Sequence, residues 1–364
     1  MQINLKDIDL EQFNVNANII GDETVYLVTP KHIGIKWTQQ NKIFRSSLWG
    51  ADGNLISGGL PKFCNYGENP EQFPLPKSLK NTTIVEKIDG SLLPVTKYKG
   101  NFIIRTRGTV DASKLDNGHE IQIFRNKYLP KLSDLCPEDT WDYTFLFEWT
   151  SPLNKIILNY GEQPEWYLVG YIIHDTYSLL DQKMVSMWAE RIGCPRPPTY
   201  TFPTLEELLK DVEQWKGKEG VCLYSNNGQT IHKIKGFWYL QLHHMKSELS
   251  NFEKVIDVWI ALGKPTYTDF YNKIAAQFDF ELANQIQGDI SRICDAWKEV
   301  VKVEAGMDVF VQKIKTLPTR KEQALKIISA YGNTNRSNFL FKKLDLKPLV
   351  DDDYKKLIFQ ILKK

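Results

Sequence analysis

The chain has 364 residues, of which 42% are hydrophobic and 25% charged, and a formal net charge of +2 at pH 7. That is long enough for two domains with a sizeable core, ordinary for a globular protein, and too balanced for nucleic-acid binding through bulk charge, so a polynucleotide partner needs a local basic patch. The 5 cysteines (Cys64, Cys136, Cys194, Cys222 and Cys294) are scattered and never spaced C-x-x-C, which argues against a zinc site or a disulfide framework and fits a reducing compartment.

The opening Met1-Gln2-Ile3-Asn4-Leu5-Lys6-Asp7 is polar and acidic too soon for a signal peptide. No apolar run reaches membrane-spanning length. The expectation is a soluble, cytoplasmic protein with no membrane partner. Thr24–Val28 and Ile33–Trp37 read as short strands. Thr83–Glu86 reads as a strand end and Ser91–Thr96 as the start of the next, with Lys87-Ile88-Asp89-Gly90 as a tight turn between them. Leu92–Tyr98 pairs with Phe102–Thr106 across Lys99-Gly100-Asn101. Thr144–Trp149, Trp166–Ile173 and Glu219–Tyr224 are apolar, aromatic and strand-like, and Ile231–Lys235 closes a hairpin across Ser225–Gln229. Thr204–Trp215 is a helix announced by a capping box, Thr204 with Glu207 three residues on.

The character changes near Ser250. Ile286, Ile290, Ile293, Trp297 and Val300 form one apolar stripe of an amphipathic helix, which Met307, Phe310 and Ile314 extend. Thr316–Thr319 ends it, Arg320–Ala330 starts another helix, and Asp351–Leu362 is the last. The pattern is α+β: antiparallel sheets over residues 1–250, then a separate all-α domain over 251–364.

Lys87-Ile88-Asp89-Gly90-Ser91 carries the chemistry. A lysine at a strand end, beside a glycine that admits a phosphate to the backbone, is a way to attack a nucleotide phosphate. A surface lysine on an Asp-Gly turn is the plainer alternative. A lysine attacks only when neutral, and its free pKa near 10.4 must be lowered by cations, desolvation or a metal. Such an attack therefore requires further cations and metal-holding carboxylates. Glu148 lies inside the apolar Leu146-Phe147-Glu148-Trp149, Glu219-Gly220-Val221 opens a strand, and Lys233-Ile234-Lys235 puts two cations on one strand face. Taken singly, each also reads as a solvated strand residue.

In that order, the four segments resemble motifs I, III, IV and V of the covalent nucleotidyltransferase superfamily, which comprises DNA ligases, RNA ligases and mRNA capping enzymes. Leu92 stands where DNA ligases and capping enzymes usually carry arginine, and the K-x-D-G-S form is similar to RNA ligases. Phe44–Trp49, Leu60–Asn65, Glu148–Ile156 and Trp238–His243 resemble the tRNA-repair RNA ligases of the T-even phage type, most strongly between Arg45 and Lys246.

The resemblance implies a nucleotidyltransferase domain with ATP-grasp-like antiparallel sheets. It also implies ATP and Mg²⁺ as cofactors, with Mn²⁺ able to substitute. Lys87 would form the lysyl-adenylate. Arg45 and Lys62 match leader residues that contact ATP phosphates, Gly90 and Ser91 belong to motif I, and Lys233 and Lys235 match the motif V pair. Glu148 and Glu219 match the acids that hold nucleotide and metal. Tyr239 matches an aromatic that the family requires. Arg107 stands where the family usually has lysine before glycine. Cys64 stands where an aromatic is expected, with Phe63 beside it. An aromatic between Trp166 and Ile173 is expected to stack on adenine, and Tyr171 is the residue chosen. The expected activity seals 5'-phosphate and 3'-hydroxyl RNA ends, in a monomer acting on tRNA broken in its anticodon loop. Arg320, Lys321, Arg336, Lys342 and Lys343 are candidates for the tRNA surface, against the alternative of solvated helix faces. A GTP-dependent capping-type guanylyltransferase and an inactive nucleic-acid-binding protein on the same fold stay open as alternatives.

Overall fold

The structure is a computed structural model describing residues 1–76, 78–226, 229–249, 251–277 and 280–362, with backbone alone at 245–249, 276–277 and 280–282. In chain order the elements begin with β1 (Phe13–Ile20), β2 (Glu23–Pro30), β3 (Ser47–Gly50), β4 (Leu55–Ser57), β5 (Cys64–Asn65), β6 (Thr83–Glu86), β7 (Ser91–Tyr98) and β8 (Asn101–Ile104). Then come α1 (His119–Leu135), β9 (Tyr143–Thr150), β10 (Glu165–Ile173), β11 (Ser178–Leu179), α2 (Gln182–Ile192), β12 (Thr199–Tyr200), α3 (Leu205–Glu213), β13 (Gly220–Ser225) and β14 (Thr230–Lys235). Helices follow: α4 (Phe237–Leu249), α5 (Phe252–Ala261), α6 (Tyr267–Gln277), α7 (Phe280–Gln285), α8 (Gln287–Ile314), α9 (Arg320–Tyr331), α10 (Asn335–Leu344) and α11 (Asp351–Leu362).

The chain divides into two compact units, Met1–Gln241 and Leu242–Lys364. The expected boundary at Ser250 and the turn residues Asn227 and Gly228 lie outside the described residues. The first unit holds three sheets, ordered β1-β2-β3-β4, β11-β10-β9-β7-β8 and β12-β6-β13-β14-β5. Neighbours are antiparallel except β5, which runs parallel to β14. This is the expected α+β class with antiparallel sheets followed by helices, with one parallel pair added among the described residues.

Packing explains the strands. One core, with Phe13, Val28, Trp49, Leu146, Ile172 and Tyr224 among its members, takes residues from all three sheets. A second, aromatic core beneath α1 and α2 contains Phe124, Phe145, Phe147 and Trp166. Each side of β9 thus meets its own core, which is why Phe145-Leu146-Phe147 is apolar without alternation. The second unit buries Trp259, Phe270, Ile290, Ile293, Val300 and Met307 around α8, so the apolar stripe seen in the sequence faces its core.

Some elements differ from expectation. Ile33–Trp37 forms no strand, and Ile33 is fully exposed. β1, rich in asparagine and weak in intrinsic strand preference, is held by pairing along its whole length with β2. Helix α1 escapes the sequence reading because Pro130 interrupts it, yet Ile121, Phe124, Tyr128 and Leu132 recur at helical spacing and are buried. The helix expected at Thr204 forms: the Thr204 hydroxyl accepts from the Glu207 N–H at 3.2 Å.

Candidate active site

Lys87 lies between β6 and β7, in a cavity of about 540 Å³ that Arg45, Phe63, Gly90, Ser91, Arg107, Glu148 and Cys222 also line. The volume suits a nucleotide-sized ligand. Leu60, Ile156, Val169, Pro197 and Tyr224 supply apolar wall.

Lys87 Nζ donates to Glu219 Oε2 at 2.7 Å, and Lys235 Nζ lies 2.8 Å from Glu219 Oε1. Both oxygens of one buried carboxylate are thus taken by two lysines. Burial pulls the Lys87 pKa down, but Glu219 first and Glu148 second outweigh it, and the balance stands above the ordinary lysine value. Lys87 is therefore held as an ammonium, the reverse of the depressed pKa expected from the sequence. The depressed group is Lys233, lowered to about 8 by burial and then by Arg45, Lys235, Lys62 and Lys87. Lys233 lies over the Phe63 ring at 5.4 Å and Arg45 over the same ring at 5.0 Å. Phe63 and Tyr224 are the aromatics of the lining; Cys64 is paired into the sheet beside His232.

The Glu148 side chain faces the cavity and makes no hydrogen bond or ion pair among the described residues, while its backbone is held between β7 and β10. Burial raises its pKa to about 7, Lys87 and Arg45 opposing and Glu219 and Asp89 assisting. No group of three or more His, Cys, Asp or Glu side chains suited to a metal occurs among the described residues. Glu148, facing the cavity, fits a hydrated Mg²⁺, which takes one or two carboxylates and fills its shell with water and phosphate oxygens; Glu219 would join it only on release from Lys87 and Lys235.

Two glycines admit neighbouring backbone. A Cβ on Gly90 would stand 2.5 Å from the Trp149 carbonyl oxygen, so Gly90 admits the β9 backbone. Gly220, at φ +145°, would place a Cβ 2.0 Å from the Ile234 carbonyl oxygen, so it admits β14 and sets Glu219 at the strand's start. Ser91 donates to Asn154 Oδ1 at 3.0 Å. Asp89, buried, is a tie rather than a bare turn residue. Its Oδ2 accepts from the Ile157 and Leu158 N–H groups at 2.8 and 2.9 Å, its Oδ1 accepts from the Tyr239 hydroxyl at 2.7 Å, and its N–H donates to the Tyr160 hydroxyl at 2.8 Å.

The remaining expected residues separate. Tyr239 is buried behind Asp89, with Lys235 over its ring at 4.9 Å, and does not line the cavity. Lys62 lies 3.7 Å from Glu68 and is also absent from the lining, as are Glu219, Lys233 and Lys235, which reach the site through Lys87 and Phe63. Tyr171 is not at the site: it stacks on Tyr143 at 5.0 Å and on Trp188 at 6.0 Å in the aromatic core. A bulge at Val169 shifts the register between Leu168 and Gly170. The extra residue turns Tyr171 to the opposite face from Tyr167, the partner of Glu148. Arg105, fully buried and donating to Ser46 and Ser57, escaped the sequence reading. The only signal was a cation closing the apolar run Phe102-Ile103-Ile104.

No family model matches the chain. It is 29% identical over 234 residues to a protein of Autographa californica nuclear polyhedrosis virus classed by inference as a bifunctional polynucleotide kinase/RNA ligase. That match covers 57% of the chain and 31% of the viral protein, so the chain spans about a third of that relative's length. A Thermovibrio ammonificans protein classed by inference as an RNA ligase is 22% identical over 279 residues, covering 69% of the chain and 72% of the relative. An archaeal ATP-dependent RNA ligase structure superposes with a TM-score of 0.47 at 14% identity, over 80% of this chain and 76% of that one. In sequence the chain is thus similar to proteins classed as RNA ligases.

Proposed function

We propose that this chain is an ATP-dependent RNA ligase that carries AMP on Lys87. The observation that supports it best is one cavity lined by Lys87, Glu148, Arg45 and Arg107, with Glu219 on the lysine's amine and Lys235 and Lys233 just behind the lining as further cations for a polyphosphate. Lys87 Nζ attacks the α-phosphorus of ATP; the N–P bond forms, the bond to the bridging oxygen breaks, and pyrophosphate leaves. A 5'-phosphate oxygen of RNA then takes the adenylate from Lys87. Attack by a 3'-hydroxyl joins the ends and releases AMP. Phosphoryl transfer of this kind depends mainly on positioning and charge stabilisation. Arg45, Lys233 and Lys235 serve the leaving pyrophosphate. Lys87 must first shed a proton, so the carboxylates that hold it as an ammonium must be engaged elsewhere. Bound at Glu148 and Glu219, Mg²⁺ or Mn²⁺ would neutralise both carboxylates and part of the phosphate charge.

Incubation with α-labelled ATP followed by a denaturing gel tests this. The wild type retains label and Lys87→Ala retains none; a labelled band of equal strength in the variant removes Lys87 from the role. Preferential labelling by GTP would instead identify a guanylyltransferase, and no labelling by either would leave an inactive binding protein. The finer reading, repair of tRNA broken in its anticodon loop, is tested by sealing nicked tRNA against linear RNA. Equal rates on both would remove it.

A further inference from the structure

Arg105 follows β8 and is fully buried without an ion pair among the described residues. Nε donates to Ser57 Oγ at 2.9 Å, Nη1 to Ser46 Oγ at 2.6 Å and to the Thr106 carbonyl at 3.2 Å, and Nη2 to the Ser46 and Ser57 carbonyls at 3.1 and 3.0 Å. Every N–H of the guanidinium is therefore used, and every acceptor is neutral. Burying a charge against neutral acceptors is unfavourable, and apolar residues commonly replace buried charges without loss of stability. Stability alone is a poor reason for an arginine here.

The reason lies in what the guanidinium holds. Ser46 adjoins Arg45. Its hydroxyl accepts from Arg105 and itself donates to the Arg107 carbonyl at 3.3 Å. Arg45 and Arg107 both line the cavity. They are close enough that Arg107, after burial, helps pull the Arg45 pKa below the usual arginine value. Two guanidiniums facing one cavity repel and would part if their backbones were free. Arg105 holds both backbones through one serine. Ser57, its other partner, ends β4, so the clamp also joins β4 to the segment after β8.

We propose that Arg105 is a positioning residue for the nucleotide polyphosphate, acting through Ser46 to hold Arg45 and Arg107 on one cavity against their mutual repulsion. This rests on the nucleotide-binding reading above. A preformed pair of guanidiniums binds a polyanion without first ordering two long side chains.

Calorimetric affinities for ATP, inorganic tripolyphosphate and adenosine, with thermal melts, test this on the full chain. Ser46→Ala is expected to weaken ATP and tripolyphosphate by roughly tenfold, the loss of one hydrogen bond to a charged group, and to leave adenosine unchanged. Arg105→Lys should behave alike, since three donors on a point charge cannot span Ser46 and Ser57. In an Arg45→Ala background the further effect of Ser46→Ala should fall to roughly twofold, because the two act as a unit. The inference is overturned if Ser46→Ala and Arg105→Lys lower only the melting temperature, if adenosine weakens equally, or if Ser46→Ala is as damaging with Arg45 absent. Wild-type binding of ATP without labelling at Lys87 would end the ligase reading and leave the clamp standing. Failure of the wild type to bind either phosphate ligand would end the clamp.

Discussion

Lys87 and Glu148 are read together because burial acts on them in opposite directions. Burial alone would make the lysine neutral, yet Glu219 and Glu148 hold it charged. Burial alone would make the glutamate neutral, and there it prevails, raising its pKa from 4.5 to about 7. The sign follows from proton counting. Between those two values the folded state binds more protons than the unfolded chain at Glu148, so this group's contribution to stability falls as pH rises through that window. Glu148→Gln should flatten the decline of melting temperature from pH 5 to pH 7, by the equivalent of a few kcal/mol at most, and reduce adenylation. Equal slopes in the two proteins would contradict the assignment. Among the expected charged residues, Arg45, Lys87, Arg107 and Glu148 meet on one cavity, and Glu148 is legible as a charge inside an apolar strand. The sequence missed Arg105 because a buried guanidinium satisfied by serines leaves no pattern.

At the scale of elements, β7, β9 and β13 place the chemistry and their close approach sets its precision. Gly90 belongs to that approach: with a Cβ 2.5 Å from the Trp149 carbonyl oxygen, alanine must push β7 from β9. Gly90→Ala should destabilise the protein by about 1–3 kcal/mol, the usual range for overpacking. It should also weaken labelling of Lys87 by moving the nucleophile from Glu148. A variant with wild-type melting temperature and labelling would show that the strands have room. The same elements show why Tyr171 lies in the aromatic core and away from the cavity. Alternation along β10 aims Tyr171 and Tyr167 at one face; the bulge at Val169 reverses Tyr171. The bulge is set by pairing with β9, and Gly170 inside the strand is its one local sign.

Over the whole molecule, the cavity residues all lie within Met1–Gln241. A fragment of residues 1–249 should therefore take label from ATP at a rate near that of the full chain. Loss of labelling with the fragment's strand signal in circular dichroism intact would assign the helical unit a part in adenylation. The tRNA surface expected on that unit is largely self-neutralised: Arg320 pairs with Asp345 at 2.7 Å, Lys342 with Asp353 at 2.7 Å, and Lys343 with Glu304 and Asp308 at 2.8 and 2.7 Å. These pairs tie α10 to α8, α9 and α11, so the three cations already have acidic partners and are less available to phosphate. No helix among the described residues is long and apolar enough to cross a membrane.

The sequence by itself determined the α+β order, the strands on either side of Lys87, the amphipathic helix α8, and the types and order of the charged residues. Those properties rest on local rules: alternation along a strand, helical spacing, capping chemistry and a charge among apolar neighbours. Tertiary structure alone decided that Glu219 grips Lys87 and Lys235 together, that Gly90 and Gly220 admit neighbouring strands, and that Tyr171 belongs to a core. It also decided that Arg105 ties Arg45 to Arg107. Each of these depends on segments distant in the chain meeting at a few ångströms, where the packing of one strand on another chooses a side chain's partner.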